Sequence, residues 1–241
     1  MELVRWTTVF LDFLEEDFEA GVDFWSGLFH ATRSEPRGDL GEFGTFLPAD
    51  GDAYAKFQRV GTGGGLHLDL HVDDVDAAVG GAVEVGASVV ASRDGYAVLR
   101  SSGGLVFCFV THPARTRPTP YPGVPDQVCL DVPPDLFDAE VAFWTALLGW
   151  DSHPGSHPAM HVLERPDGQA LRILLQRLDE GEPPVRAHLD LAAGDQVQAL
   201  AAEHRTQGAT QVRDGAWVTL RDPVGREYCL TPRSPATGRL A

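Results

Sequence analysis

The chain repeats itself. Leu11-Asp12 recurs as Leu130-Asp131 and Phe24-Trp25 as Phe143-Trp144, each 119 residues further on. Pro48 matches Pro166, and Gln58-Arg59 matches Gln176-Arg177, at a spacing of 118. His67-Leu68-Asp69-Leu70 returns unchanged as His188-Leu189-Asp190-Leu191, and Cys108 returns as Cys229, at 121. A register that drifts by so little over half a chain is the mark of a tandem duplication with small loop insertions. Whatever fold one copy adopts, the other must accommodate.

The pattern of apolar residues agrees with the letters. Phe18, Val22, Trp25 and Phe29 fall at steps of four, three and four, which places one aromatic-rich stripe on a helix. Phe137, Val141, Trp144 and Leu148 repeat it. Asp17 and Asp135 are the candidate N-caps, and Gly149 the candidate stop. These aromatics read as core packing rather than ligand contacts. A strand precedes each helix (Trp6–Phe13, Gln127–Val132). Short β-type runs follow it: Phe43–Leu47 with Tyr54–Val60, and Met160–Leu163 with Leu171–Leu178, with a further strand hidden in each loop. A second module then opens on Leu66–Val72 or His188–Leu191. It continues into a helix from Asp74 or Asp195, is stopped near Gly86 or Gly208, and ends in three strands. Each copy therefore reads strand, helix, strands, twice over.

Five prolines between Pro113 and Pro125 exclude regular helix and favour an extended connector. The expected organisation is a first domain over 1–112, a linker over 113–125 and a second domain over 126–233.

Nineteen Lys and Arg face 35 Asp and Glu, a formal net charge of −16. Such a surface repels phosphate backbones and anionic lipid, so neither nucleic acid nor membrane is an expected partner. The opening Met1-Glu2-Leu3-Val4-Arg5-Trp6 lacks a basic segment ahead of an apolar run, and no apolar stretch is long enough to span a bilayer. A cytoplasmic protein, monomeric or homodimeric, is expected. Cys108, Cys129 and Cys229 sit in apolar strand-like runs without CxxC spacing and read as reduced core thiols.

Paired modules, HLDL opening the second, Gly-Ala after its helix (Gly86-Ala87, Gly208-Ala209) and the Asp222-Pro223-Val224-Gly225 turn together resemble the vicinal oxygen chelate superfamily. That superfamily includes glyoxalase I, the bleomycin-resistance proteins and the type I extradiol dioxygenases. The resemblance implies an α+β fold: tandem domains, each from two paired βαβββ modules with curved mixed sheets that line a cavity. It also implies that a metal, where present, is held from the first strand, the strand opening module two and the last strand. In the second copy those positions are Gln127, His188 and Glu227, with Glu227 as the candidate catalytic carboxylate. Strand alternation independently puts Gln127, Cys129 and Asp131 on one face, His188 with Asp190, and Glu227 with Cys229. The matching positions of copy one are Thr8, His67 and Val106, and valine cannot ligate a metal.

The resemblance leaves two functions open. One is a small-molecule-binding protein of the antibiotic- or metabolite-binding kind that needs no metal. The other is a lyase, isomerase or dioxygenase using a divalent ion (Zn, Ni, Fe or Mn) in the second domain. Gln127 stands where the dioxygenases have histidine, and the fourth strands lack the carboxylate that glyoxalase I requires. An interaction scaffold with a vestigial pocket is a third reading. The acids Asp12, Asp131, Asp69 and Asp190 read as structural hydrogen-bond partners. His153, His157 and His161 are four apart, but Pro154, Gly155 and Pro158 between them make a loop more reasonable than a helical ligand stripe.

Overall fold

The computed structural model describes residues 4–111, 114 and 116–240. The first three residues, with His112, Pro113 and Arg115 of the expected connector, lie outside the described residues. Copy one runs β1 (Trp6–Leu14), α1 (Phe18–Leu28), β2 (Thr32–Arg33), β3 (Phe43–Leu47), β4 (Ala55–Val60), β5 (Gly65–His71), α2 (Val75–Glu84), β6 (Ser88–Arg93), β7 (Tyr96–Arg100) and β8 (Val106–Val110). Copy two repeats the order with β9 (Val124–Val132), α3 (Phe137–Leu148), β10 (Asp151–Pro154), β11 (Met160–Glu164), β12 (Arg172–Arg177), β13 (Arg186–Ala192), α4 (Val197–Thr206), β14 (Thr210–Arg213), β15 (Val218–Arg221) and β16 (Glu227–Thr231). The strands form two curved, unclosed eight-stranded sheets, ordered β2-β3-β4-β1-β5-β8-β7-β6 and β10-β11-β12-β9-β13-β16-β15-β14. This is the α+β architecture of paired βαβββ modules. Among the described residues no helix is long and apolar enough to cross a membrane.

The repeat extends to fine detail. In both copies the strand opening module two pairs in parallel with the last strand, and the same residues are opposed: Asp69 with Cys108, Asp190 with Cys229. A bulge interrupts the edge hairpin at matching places, Val89/Ala91 and Gln211/Arg213. The strands expected in the loops after α1 and α3 are β2 and β10.

Several local expectations need correction. Asp17 does occupy the N-cap of α1, but its side chain makes no capping hydrogen bond. Asp135 lies inside a 3-10 turn, Pro134–Leu136, and the N-cap of α3 is Leu136, because Pro133-Pro134 starts the turn a residue earlier. Asp74 caps α2 as its side chain accepts from the Ala77 amide at 3.0 Å. Gly149 ends α3 at φ 65°, the left-handed conformation of a helix stop. His153 and His161 belong to β10 and β11, adjoining strands of one hairpin with Pro154 opposite His161 and His157 in the turn, so they are not loop residues. Proline blocks a helix there but is tolerated at the edge of a sheet.

By packing, the chain divides into two compact units that each draw on both copies. The first gathers the described residues of Met1–Phe10, Leu66–Thr116 and Cys129–Ala187; the second gathers Leu11–Gly65, Arg117–Val128 and His188–Ala241. In the first unit α3 lays its stripe on β8, with Trp144 5.3 Å and Phe143 6.1 Å from the Phe107 ring. In the second α1 lays its stripe on β16, with Trp25 5.0 Å and Phe24 6.1 Å from the Tyr228 ring. Trp25 and Trp144 are fully buried. Removing a tryptophan from water is worth on the order of 5 kcal/mol before ordering costs, so each helix is held chiefly by this contact.

The indole N–H of each of these two tryptophans meets a carboxylate. Trp25 Nε1 donates to Asp222 Oδ2 at 2.8 Å, and Trp144 Nε1 donates to Glu140 Oε2 at 2.9 Å. Asp222 comes from the turn before β16, where its Oδ1 also accepts from the amides of Val224 (3.1 Å) and Arg226 (2.7 Å). Glu140 comes from α3 itself and accepts from Ser102 Oγ (2.7 Å) and the Gly103 amide of the turn before β8. A Cβ on Gly103 would lie 3.0 Å from Glu140 Oε1 and 2.6 Å from Val185 Cγ2, so that approach requires glycine.

Candidate functional site

The polar side chains that matter lie in the second unit, on β9, β13 and β16. β9 is buried along almost its whole length, so both of its faces are covered and its polar residues must find partners inside the protein. Asp126, fully buried, takes a two-pronged ion pair from Arg233, with Nε–Oδ2 3.0 Å and Nη2–Oδ1 2.7 Å. Gln127, also fully buried, donates from Nε2 to Asp190 Oδ2. His188 Nε2 lies 3.3 Å from Asp190 Oδ1, Cys229 Sγ lies 3.7 Å from the same imidazole nitrogen, and Arg233 Nη1 lies 3.7 Å from Asp190 Oδ2. His188, Asp190 and Cys229 thus form a group whose ligand atoms are all within 4.8 Å of one another.

Burial by itself would raise the Asp190 carboxyl, but the hydrogen bond and charge of His188, the Arg233 cation and the Gln127 amide together hold it below the ordinary carboxylate range. Asp190 is therefore an anion inside the protein. The Cys229 thiol is pushed up, first by burial and then by the charge of Asp190, so it is neutral unless something displaces its proton. Gln127 Oε1 is buried without a hydrogen-bond partner, and Asp190 Oδ1 faces only the His188 imidazole, 3.3 Å away.

The three residues singled out by the resemblance are placed unequally. Gln127 and His188 converge on Asp190. Glu227 sits at the exposed start of β16, opposite Arg221 on β15, and its Oε1 accepts from Arg221 Nη2 at 2.6 Å. Cys129 packs instead with Val162 and Leu174. Asp190, Asp126 and Arg233 enter the site although no site role was read for them from the sequence. Asp190 carried a signal, because HLDL recurs with its acid intact. Arg233 carried none, since it lies beyond the last strand and meets Asp126 only through the fold.

In copy one the equivalent group is His67, Asp69 and Cys108, looser by half an ångström, with His67 Nε2 3.8 Å from Asp69 Oδ1. The His67 ring is stacked on Phe10 at 4.7 Å and an interplanar angle of 7°. Thr8, in the place of Gln127, bonds His71 instead, Oγ1 to Nε2 at 2.8 Å. The second unit also has a small apolar cleft lined by Phe29, Phe46, Tyr54, Pro118, Tyr121 and Pro125. Both of its phenols are tied to backbone, Tyr54 to the Pro125 carbonyl and Tyr121 to the Phe29 carbonyl, each at 3.0 Å.

Duplicated βαβββ modules in open curved sheets, with polar side chains on the inner strands of one copy, define the class to which the molecule belongs. The family described as "Glyoxalase-like domain" matches twice, over residues 8–110 and 127–231. The chain belongs to this glyoxalase-like family, within the vicinal oxygen chelate superfamily. None of the curated proteins compared is similar enough to count as a match. Among solved structures, 2,2',3-trihydroxybiphenyl 1,2-dioxygenase from Sphingomonas wittichii strain RW1 superposes with a TM-score of 0.68 at 14% identity, covering 95% of this chain and 90% of its own. The Mn(II)-bound glyoxalase from Novosphingobium aromaticivorans gives 0.62 at 19%, covering 100% and 86%. A catechol 2,3-dioxygenase gives 0.64 at 14%, covering 100% and 93%. At these identities the likeness establishes the fold.

Proposed function

We propose that the protein binds a small organic molecule against the polar cluster of β9, β13 and β16. The observation that carries this reading is Gln127 Oε1, a buried oxygen left without a donor, beside the buried Asp190 carboxylate that His188 approaches at 3.3 Å. A buried acceptor without a partner costs about 1–3 kcal/mol, so such an oxygen in this cluster points to a group that arrives from outside. That group brings a hydrogen-bond donor or a positive charge. Asp190 would orient it, and Gln127 and Arg233 hold the Asp190 carboxylate in place while it does so.

The second reading is the metal-dependent enzyme, with Gln127, His188 and Glu227 as ligands and Glu227 as the catalytic carboxylate. The available amide oxygen of Gln127 and the nearby imidazole of His188 fit a divalent ion; Glu227 fits only after leaving Arg221. An ion bound there would supply polarisation of adjacent substrate oxygens. The chain's own contribution would be to seat it and to exclude water with the buried β9.

The test is a thermal-shift screen of the purified protein against organic molecules, with and without divalent ions, repeated on Gln127→Ala. A ligand at 100 times its dissociation constant stabilises by about 2.7 kcal/mol. Stabilisation that Gln127→Ala abolishes supports the site, and ligands that stabilise both proteins equally place binding elsewhere.

A further inference from the structure

We propose that the protein has a second binding site, for an uncharged planar aromatic molecule of indole size, in the apolar cleft between the end of α1, β3 and the connector. No residue of the polar cluster on β9, β13 and β16 lines this cleft, so the site goes beyond the binding reading above and does not rest on it. Its walls include Phe29 and Ala31 just past α1, Phe46 of β3, Tyr54 ahead of β4, and Pro118 and Tyr121 of the connector. None of the described lining residues is charged. The two phenols already donate to the carbonyls of Pro125 and Phe29, so the walls offer rings and no unmet donor. A charged guest would give up its water there for nothing, whereas a flat apolar ring loses little. The rings also stand as aromatic contacts prefer, with Phe29 and Phe46 edge to face at 5.3 Å.

The repeat supplies the shape of the guest. Ala31 aligns with Trp150 at the spacing of 119 that relates Trp25 to Trp144. Each directly follows the left-handed residue that ends its helix, His30 at φ 48° and Gly149 at φ 65°. The ladders set Phe46 opposite Arg33 and Leu163 opposite Ser152, which makes Leu163 the counterpart of Phe46. In copy two Trp150 is 4% exposed, and Leu148 and Leu163, the counterparts of Phe29 and Phe46, are buried with it. Copy two thus closes the place with an indole of its own, while copy one has a methyl group there and a cleft. The connector wall of that cleft is held in position. The Thr119 amide donates to Asp50 Oδ1 at 2.8 Å, and the His30 ring meets Tyr121 edge-on at 5.3 Å. His30 takes its left-handed backbone without being glycine, and such residues persist where their surroundings hold them and gather at ligand clamps.

The experiment titrates the full chain with 5-fluoroindole followed by fluorine NMR, with calorimetric titration of indole as a second readout. For a guest this small the expected dissociation constant is on the order of 0.1–1 mM. Ala31→Trp, which gives copy one the side chain of copy two, should weaken binding ~10-fold or more by filling the cleft. Should that variant fail to fold, Ala31→Leu fills part of the same space and carries the test. Indole-3-acetate, the same ring with a carboxylate, should bind ~10-fold more weakly than indole. Gln127→Ala should bind indole as the unaltered chain does. Absence of saturable binding up to ~10 mM overturns the inference, as does binding undiminished in both Ala31 variants. If binding disappears in Gln127→Ala yet survives in the Ala31 variants, the ring sits on the polar cluster: the inference falls and the binding reading gains. Loss in the Ala31 variants with retention in Gln127→Ala establishes the cleft, whatever becomes of the polar cluster.

Discussion

The two compact units solve one problem by two routes. Each buries a tryptophan from the first helix of one copy against the last strand of the other, and each must satisfy the indole N–H that goes down with it. In the second unit the acceptor is Asp222, supplied by the turn before β16. In the first unit the matching turn, Ser101-Ser102-Gly103-Gly104, has no acid, and Glu140 reaches it from the helix. Glu140 aligns with Gly21 in the repeat, and in α1 that place is filled by the Phe13 ring, 2.2 Å from where a Cβ would stand. What is held constant between the copies is therefore the buried hydrogen bond, not the residue that makes it. A carboxylate can migrate from turn to helix provided that glycine clears its path.

The largest test of this equivalence is to remove each acceptor. Asp222→Ala strips partners from Trp25, Val224 and Arg226 and leaves the buried Arg226 cation without its carboxylate, an expected loss of ~4 kcal/mol; Glu140→Ala should cost ~3 kcal/mol. Urea unfolding of both variants measures this, and a loss below ~1 kcal/mol in either would break the comparison.

The next effect depends on pH and belongs to the second unit. His204 Nδ1 is 3.0 Å from the Tyr228 hydroxyl, and burial, then the charge of His30, lower its pKa to about 4. Unfolding returns it to about 6.5. Between those values the unfolded chain binds more protons, so stability falls as pH drops from ~6.5 to ~4, by at most ~3 kcal/mol from this group. His204→Gln should flatten that slope in denaturant titrations at several pH values. Tyr228 itself is raised by burial and by the charge of Asp222, and stays neutral throughout.

Gly21→Ala should cost ~2 kcal/mol, because Phe13 would have to move in a packed core; a neutral result in thermal unfolding would mean that the ring swings aside freely. The smallest effect is expected at Arg221→Ala. Its pair with Glu227 is about half exposed on both sides, and such pairs contribute within ~0.5 kcal/mol. Stability that drops well beyond this would show that Glu227 is anchored more firmly than its exposure suggests.

The repeat made the fold legible, since period-two and period-3.6 patterns in two independent copies corroborate each other. Trp25 and Trp144 were readable as core, and Gly149, Gly86 and Gly208 as helix stops. Positive φ at all three glycines fits the reason given. Element ends were less readable. Pro133-Pro134 displaced the cap from Asp135, and edge pairing absorbed His153 and His161 into a hairpin. At the site, β13 and β16 were legible as partners because HLDL and the final Cys repeat together. Asp126 and Arg233 stand 107 residues apart, and nothing local in either announces the other. The exposure of Glu227 was likewise invisible, as strand alternation gives a face and not a depth.

The composition of the compact units bears on how the molecule can form. The first cannot be completed until Cys129–Ala187 has been made, and the second until His188–Ala241 has. A ribosome that has delivered only the first copy has delivered half of two things. The apolar stripe of α1 must wait for Tyr228, about 200 residues later by the numbering. Contacts so distant along the chain make for slow assembly. They also expose sticky surface in the interval, so the newborn form of this chain stands to gain from a chaperone.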